Sequence, residues 1–322
     1  MESSRVFLLI CLCGFLLVAG RAPPLDHVHG EVNKERMRDG APTPRDAHHY
    51  HDDVHNDDFD HEVILGSQEQ VELFESLSRE AAREKLAELV DRMDADADGF
   101  VDTPELTAWI KKSFLSLSLE ESDDRFEEVD EDENGEVTLR EVMEDYGVFD
   151  DEDEVEVLTN EPELAAEMKK DERLFSVADA DGDGVLKKAE FFAFSHPEEH
   201  EQMWDVLMTE SLNEKDKDSD GKLDLDEFLG DDKDQHDKEW ATIERKRFAE
   251  YFDRNSDGYL DKEEMLLWLV PNNEEMARDE AEHLISSADD DGDGRLSISE
   301  ILDHQDMFVG SRSSISGHHD EF

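Results

Sequence analysis

The residues predict an all-α protein: six helix–loop–helix repeats arranged as three pairs, behind a disordered acidic N-terminal arm. Three observations lead there. A twelve-residue pattern, D-x-[DN]-x-[DN]-G with Glu last, occurs six times. Its starts are separated by 36, 49, 37, 37 and 36 residues, the period of a helix–loop–helix unit. Apolar residues stand at the same offsets before and after every copy.

Residues 1–20 read as a signal peptide. Arg5 supplies a positive start, and Val6 to Ala19 form an apolar run that is short of the about 20 residues a membrane span needs. Cleavage is expected after Gly20. Cys11 and Cys13 are the only cysteines and both lie in that run, so the processed chain is expected to hold none and to form no disulfide. Residues 21–70 are expected to form a His-rich acidic arm, with seven of the fourteen His between Asp26 and His61. Zinc or copper capture and pH sensing are open to such a segment. Its composition favours a plain disordered acidic arm.

The six loops begin at Asp94, Asp130, Asp179, Asp216, Asp253 and Asp289. This is the EF-hand pattern, and each position has a chemical reason. Calcium takes about six to eight oxygens at about 2.3–2.6 Å. Positions 1, 3 and 5 offer side-chain oxygens: Asp94, Asp96, Asp98; Asp130, Asp132, Asn134; Asp179, Asp181, Asp183; Asp216, Asp218, Asp220; Asp253, Asn255, Asp257; and Asp289, Asp291, Asp293. Position 7 offers a backbone carbonyl, from Phe100, Glu136, Val185, Lys222, Tyr259 and Arg295. The last position offers two oxygens at once, from Glu105, Glu141, Glu190, Glu227, Glu264 and Glu300. Up to six Ca2+ are therefore expected. Asp102, at position 9 of the first loop, can accept from a bound water, as can Asp224 and Asp261 in theirs. Lys187 stands there in the third loop, which is expected to bind most weakly.

Helix positions flank each loop. The residue after the last Glu is Leu106, Val142, Phe191, Phe228, Met265 or Ile301. Four residues before each loop stand Val90, Phe126, Phe175, Leu212, Ala249 and Ile285, expected in the core. Three residues beyond the first set, odd loops carry Trp109, Phe194 and Trp268, and even loops carry Asp145, Asp231 and His304. That alternation predicts consecutive pairing: 71–148 as the first pair, 149–162 as an acidic linker, 163–232 as the second pair and 233–305 as the third. Residues 306–322 are the tail. It ends in His319, Asp320, Glu321 and Phe322, similar to the H-D-E-L retrieval signal of the endoplasmic reticulum.

Charge bounds the function. Asp plus Glu number 91 against 32 Lys plus Arg, for a formal net charge of −59. Such a polyanion is repelled by nucleic acid and by anionic membranes, and attracts cations and basic partners. No catalytic motif occurs, and each loop is filled by its own ligands, so neither catalytic residues nor an organic cofactor are expected. With the signal removed, no membrane insertion is expected.

Beyond the loops, "HNDDFDHEVILG" from His55, "HPEE" from His196, "WLVPNN" from Trp268 and "MFVGS" from Met307 resemble fingerprints of the CREC family, the reticulocalbins and calumenins. The latter half is most similar to the reticulocalbin-2 branch, and the terminal Phe322 to the calumenin branch. The resemblance implies a luminal protein of the secretory pathway that binds calcium with low affinity. Luminal or secretory proteins, basic ones included, are the implied partners, with a retrieval receptor engaging the tail. The endoplasmic reticulum is the expected location, with some escape to Golgi or medium. Two roles follow: a multi-site buffer and calcium-dependent folding helper or adaptor, or a sensor for one dedicated client. A sensor needs an apolar, often Met-rich groove, and the ten Met show no cluster.

Overall fold

A computed structural model describes residues 50–51, 54–55, 57–144, 146, 148, 160–230 and 238–310. The signal segment, most of the arm, the acidic run from Asp150 and the retrieval tail lie outside the described residues. Two short strands, β1 (Tyr50–His51) and β2 (Val54–His55), pair antiparallel ahead of α1 (Asp57–Leu65) and α2 (Gln68–Ser76). The first hand is α3 (Arg79–Met93), β3 (Phe100–Val101) and α4 (Thr103–Val129). The second loop carries β4 (Val137–Thr138) and leads into α5 (Leu139–Glu144). The third hand is α6 (Pro162–Ala178), β5 (Val185–Leu186) and α7 (Lys188–Ser195). After a 3₁₀ turn at Pro197–Glu199, the fourth is α8 (Glu201–Lys215), β6 (Leu223–Asp224) and α9 (Leu225–Leu229). The fifth is α10 (Lys238–Arg247), a π-helical turn at Phe248–Phe252, β7 (Tyr259–Leu260) and α11 (Lys262–Leu269). The sixth is α12 (Asn273–Ala288), β8 (Leu296–Ser297) and α13 (Ile298–Asp303), followed by α14 (Gln305–Val309). Among the described residues no helix is long and apolar enough to cross a membrane.

The loops do form three pairs, but not between neighbours in sequence. β3 pairs with β8, β4 with β5 and β6 with β7. Loop one therefore joins loop six, two joins three, and four joins five. This corrects the consecutive arrangement of 71–148, 163–232 and 233–305. The physical reason is α4. It runs 27 residues without interruption, serving as exit helix of the first loop and entry helix of the second. Its only proline, Pro104, sits in the first turn, where proline is tolerated, and it contains no glycine. A straight helix of that length spans about 40 Å, so loops one and two stand at opposite ends and cannot meet. Elsewhere the chain is broken between loops: His196–Pro197 interrupts the third spacer and Pro271 the fifth. After Pro271, α12 packs along α4 and returns the sixth loop to the first.

Two cores result. One gathers Val129, Val137, Phe175, Leu186, Phe191, Leu223, Phe228, Leu260 and Trp268 from loops two to five. The other gathers Leu86, Val90, Val101, Leu106, Ile110, Phe114, Leu284 and Leu296 from hands one and six. The two ends of α4 lie in different cores, while its middle buries the small residues Ser113, Ser118 and Ser122. The small side chain at 113 lets the chain at Gly66 approach closely, where an added Cβ would stand 2.9 Å from Ser113 Oγ. Gly66 has φ of +66°, so glycine is required there on both counts.

The arm and tail boundaries also move. Residues to 70 were expected to be disordered, yet α1 places Phe59, Val63, Ile64 and Leu65 in the core of hands one and six. The tail was expected to begin at 306, yet Phe308 and Val309 of α14 are buried in that same core. Both segments carry enough apolar side chains to be worth ordering once they meet. His61 Nε2 lies 3.0 Å from Asp306 O, which ties them. Two fingerprint segments distant in sequence thus touch. The other two also meet: Asn273 Nδ2 donates to Glu199 Oε1 at 3.0 Å.

One expected core position is displaced. Ala249 is exposed and Phe248 is buried instead. Asp253 N donates to Phe248 O at 2.8 Å, five residues back, where the other five loops use the residue four back. The π turn adds one residue and rotates the apolar position by one. Of the odd-loop aromatics, Trp268 is buried in a core, Trp109 and Phe194 pack against one, and only Trp268 bridges an observed pair. Trp268 packs edge-on against Phe228 of the fourth hand at 5.3 Å. Trp109 Nε1 donates to Ile64 O at 2.8 Å, and Phe194 packs within its own hand against Phe175.

Candidate metal centres

Each loop is shaped by its own carboxylates. In the first, Asp94 ends α3, and its two oxygens accept from Asp98 N at 3.1 Å and Gly99 N at 2.9 Å. Asp96 Oδ1 accepts from Asp98 N at 3.0 Å, and Asp98 Oδ1 from Phe100 N at 2.9 Å. Glu105, arriving from α4, accepts from Ala95 N at 2.8 Å and Asp102 N at 3.1 Å. The amide at position 6 donates to the position-1 carboxylate in all six loops, at 2.8–2.9 Å. To aim it there the chain takes a positive φ, +89° at Gly99, a value suited to glycine.

Position 4 is also left-handed, and sequence reasoning missed it. Gly182 and Gly292 hold that place in the third and sixth loops, but Ala97, Glu133, Ser219 and Ser256 hold it in the others with φ of 54–61°. For residues with a Cβ this is an uncommon conformation that the loop must enforce.

The result is a cage of acceptors. In the loops from Asp94, Asp130, Asp179 and Asp216, oxygens of the position 1, 3 and 12 carboxylates lie within 4.8 Å of one another. In the loop from Asp253 the three are Asp253, Asp257 and Glu264. Asp130, Glu227, Asp253 and Glu264 are buried. Burying several carboxylates together is costly unless opposite charge reaches them. The backbone amides that hold them are neutral and leave the negative charge in place. An oxygen-only donor set of this kind fits a hard dication such as calcium. Asn134 and Asn255 keep the geometry at lower charge, their Oδ1 atoms accepting from Glu136 N and Asp257 N at 2.7 Å.

Hydrogen bonding holds several of these carboxyls ionised. Asp289 is held below the usual carboxylate range chiefly by the Gly294 amide, and Glu300 chiefly by the Ser297 amide. Asp257 is lowered chiefly by the Tyr259 amide, then by Lys222. Asp183 is lowered chiefly by Lys187.

Position 9 does more than the sequence reading assigned. Asp102 Oδ1 accepts from Glu105 N at 2.9 Å while Glu105 Oε2 accepts from Asp102 N, a reciprocal N-cap of α4. Asp224 and Asp261 cap α9 and α11 in the same way, and Ser297 caps α13. The signal was legible as Asp or Ser followed three residues on by Glu, the capping box. These side chains fix the backbone of the last ligand. Lys187 breaks the set. Its Nζ lies 2.6 Å from Asp183 Oδ2 and 3.2 Å from Asp181 Oδ2, a cation resting on two acceptors of its own loop.

Comparison with known proteins agrees with this geometry. The family described as an EF-hand domain pair matches residues 244–304, and a second EF-hand domain pair description matches 172–196. The first match spans hands five and six, whose loops belong to different strand pairs in the fold. Reticulocalbin-2 of Crotalus adamanteus is 40% identical over 270 residues, covering 82% of this chain and 88% of that protein. Reticulocalbin-2 of Rattus norvegicus is 38% identical over 283 residues, covering 85% and 88%. Reticulocalbin-3 of Mus musculus is 35% identical over 328 residues, covering 98% of each.

Proposed function

The chain belongs to the reticulocalbin family of EF-hand calcium-binding proteins, and from that premise we propose a low-affinity, multi-site calcium buffer that also acts as a calcium-dependent folding helper or adaptor for secretory proteins. It works without catalysis, in the lumen of the endoplasmic reticulum, held there by His319, Asp320, Glu321 and Phe322, with a fraction escaping to Golgi or medium. Six ions per chain is the capacity the loops allow. The observation that carries this reading is the repeated carboxylate cage within a chain of net charge −59. Many acidic sites on one polyanion store calcium, and releasing it exposes charge that basic segments of client proteins can meet.

A dedicated sensor fits less well. A sensor opens a Met-rich groove when calcium binds, whereas the eight methionines between residues 93 and 307 are divided between the two cores. Two measurements test the proposal. Calorimetry should find weak binding at more than two sites per chain, and two or fewer ions would overturn the buffer. Pull-down from luminal extract with and without calcium should recover several clients, whereas one stoichiometric calcium-dependent partner would overturn the helper role in favour of the sensor. Removing residues 319–322 should raise the secreted fraction, and an unchanged ratio of medium to cell protein would refute the tail as the address.

A further inference from the structure

Two of the three loop pairs share a feature that the third lacks. In the pair of loops one and six, Arg295 at position 7 stacks over the ring of Phe100, position 7 of the partner, at 4.0 Å. Its Nη1 reaches Asp98 Oδ2 of that partner loop at 3.2 Å, and its Nη2 lies 3.4 Å from Asp293 Oδ2 of its own. In the pair of loops four and five, Lys222 at position 7 lies over the ring of Tyr259, again position 7 of the partner, at 5.7 Å. Its Nζ reaches Asp257 Oδ2 at 3.4 Å. Each cation thus crosses the strands to the position-5 carboxylate of the loop that supplies the aromatic ring. The inner oxygens, Asp98 Oδ1 and Asp257 Oδ1, are engaged by the amides of Phe100 and Tyr259, so the cation takes the outer one. In the pair of loops two and three, position 7 is Glu136 and Val185, and the cation is Lys187 on its own loop.

We propose that Arg295 and Lys222 are affinity-determining residues acting across the strand pairs: Arg295 weakens calcium binding in the loop from Asp94, and Lys222 weakens it in the loop from Asp253. The proposal rests on the assignment of those loops as calcium sites. The physics is that of an outer counter-ion. A positive charge beside a ligand carboxylate stabilises the metal-free loop and repels the arriving dication. Removing it has opposite effects on the two states. The aromatic partner fixes where the long side chain lies, so the effect is directed at one loop. This lowers the affinity of two sites on a polyanion without removing ligands, and places the control of both on their partner loops.

The test uses the full processed chain at low ionic strength, titrated with calcium, with the amide signals of Gly99, Gly258 and Gly294 reporting their own loops. Arg295→Gln keeps the position-7 carbonyl. It should tighten binding at Gly99 about two- to fivefold, the range an exposed ion pair spans. Lys222→Gln should do the same at Gly258. Arg278→Gln, on the exposed face of α12, makes the same change in net charge away from any loop and should leave all three signals within experimental scatter. A tightening at Gly99 no larger than that of Arg278→Gln, or one confined to Gly294, overturns the proposal alone. A wild-type Gly99 signal that ignores calcium overturns the site assignment and this proposal with it.

Discussion

Replacing Val101 and Leu296 with alanine, singly and together, tests the pairing of the first and last loops. The two residues face each other across β3 and β8 and are fully buried. Leu296→Ala removes an interior leucine, at about 2–5 kcal/mol. Val101→Ala removes two methyl groups, about 1.6 kcal/mol at ~0.8 kcal/mol per buried carbon. Because the side chains share one contact, the double variant should lose less than the two singles together, by about 1 kcal/mol. The decisive control combines Val101→Ala with Val137→Ala. Val137 holds the equivalent place in the second loop but faces Leu186, in the other core and at the far end of α4. Those two losses should add to within about 0.3–0.5 kcal/mol. Urea unfolding in saturating calcium, followed by circular dichroism with slopes compared among variants, measures all five losses. Coupling between Val101 and Val137, together with additivity between Val101 and Leu296, would refute the pairing and the argument from α4.

Calcium should also decide whether the chain is folded. At ten times the dissociation constant, binding adds about 1.4 kcal/mol per site, or roughly 8 kcal/mol for six independent sites. A typical domain is stable by about 5–15 kcal/mol. Chelator at low ionic strength should therefore lower helicity and enlarge the hydrodynamic radius, calcium should reverse both, and magnesium should do much less; identical scattering profiles with and without chelator would sink this. A pH effect should arise at His200, whose ring packs edge-on to Phe192 at 4.9 Å with its Nε2 buried and without a hydrogen bond. Burial lowers its pKa from the ordinary 6.5, Glu199 opposes the shift and His196 adds to it. Since the folded value is the lower one, the unfolded chain takes up the proton first on acidification. The stability contribution is full above pH 6.5 and is lost as pH falls from there towards the folded value. His200→Asn should flatten the fall of the thermal midpoint between about pH 7 and 5.5, and an unchanged slope would remove His200 from that role.

What the sequence determined by itself was the ligand chemistry of each loop and the apolar register beside it. Ligand chemistry dictates Asp at position 1, glycine at position 6 and Glu at position 12, all within twelve residues, so the loops and their flanking apolar registers were legible without a fold. The capping boxes were equally legible in the same letters. The left-handed residue at position 4 was not, because Ala97 and Ser219 carry no mark of the backbone they adopt. Nor was the displaced core position before the fifth loop, where one extra residue in the π turn exchanges Phe248 for Ala249.

The tertiary structure alone decided which loops meet. Each loop offers the same aliphatic position 8, so every pairing is chemically acceptable, and nothing in a loop names its partner. The choice falls to the spacers. The uninterrupted helix Thr103–Val129 separates loops one and two, and the break at Pro271 sends α12 back along it. The long acidic spacer that resembles a boundary lies inside a pair, between loops two and three. The same closure brings residues 57–65 and 305–309 together, and both segments bury their apolar side chains in the one core that hands one and six share.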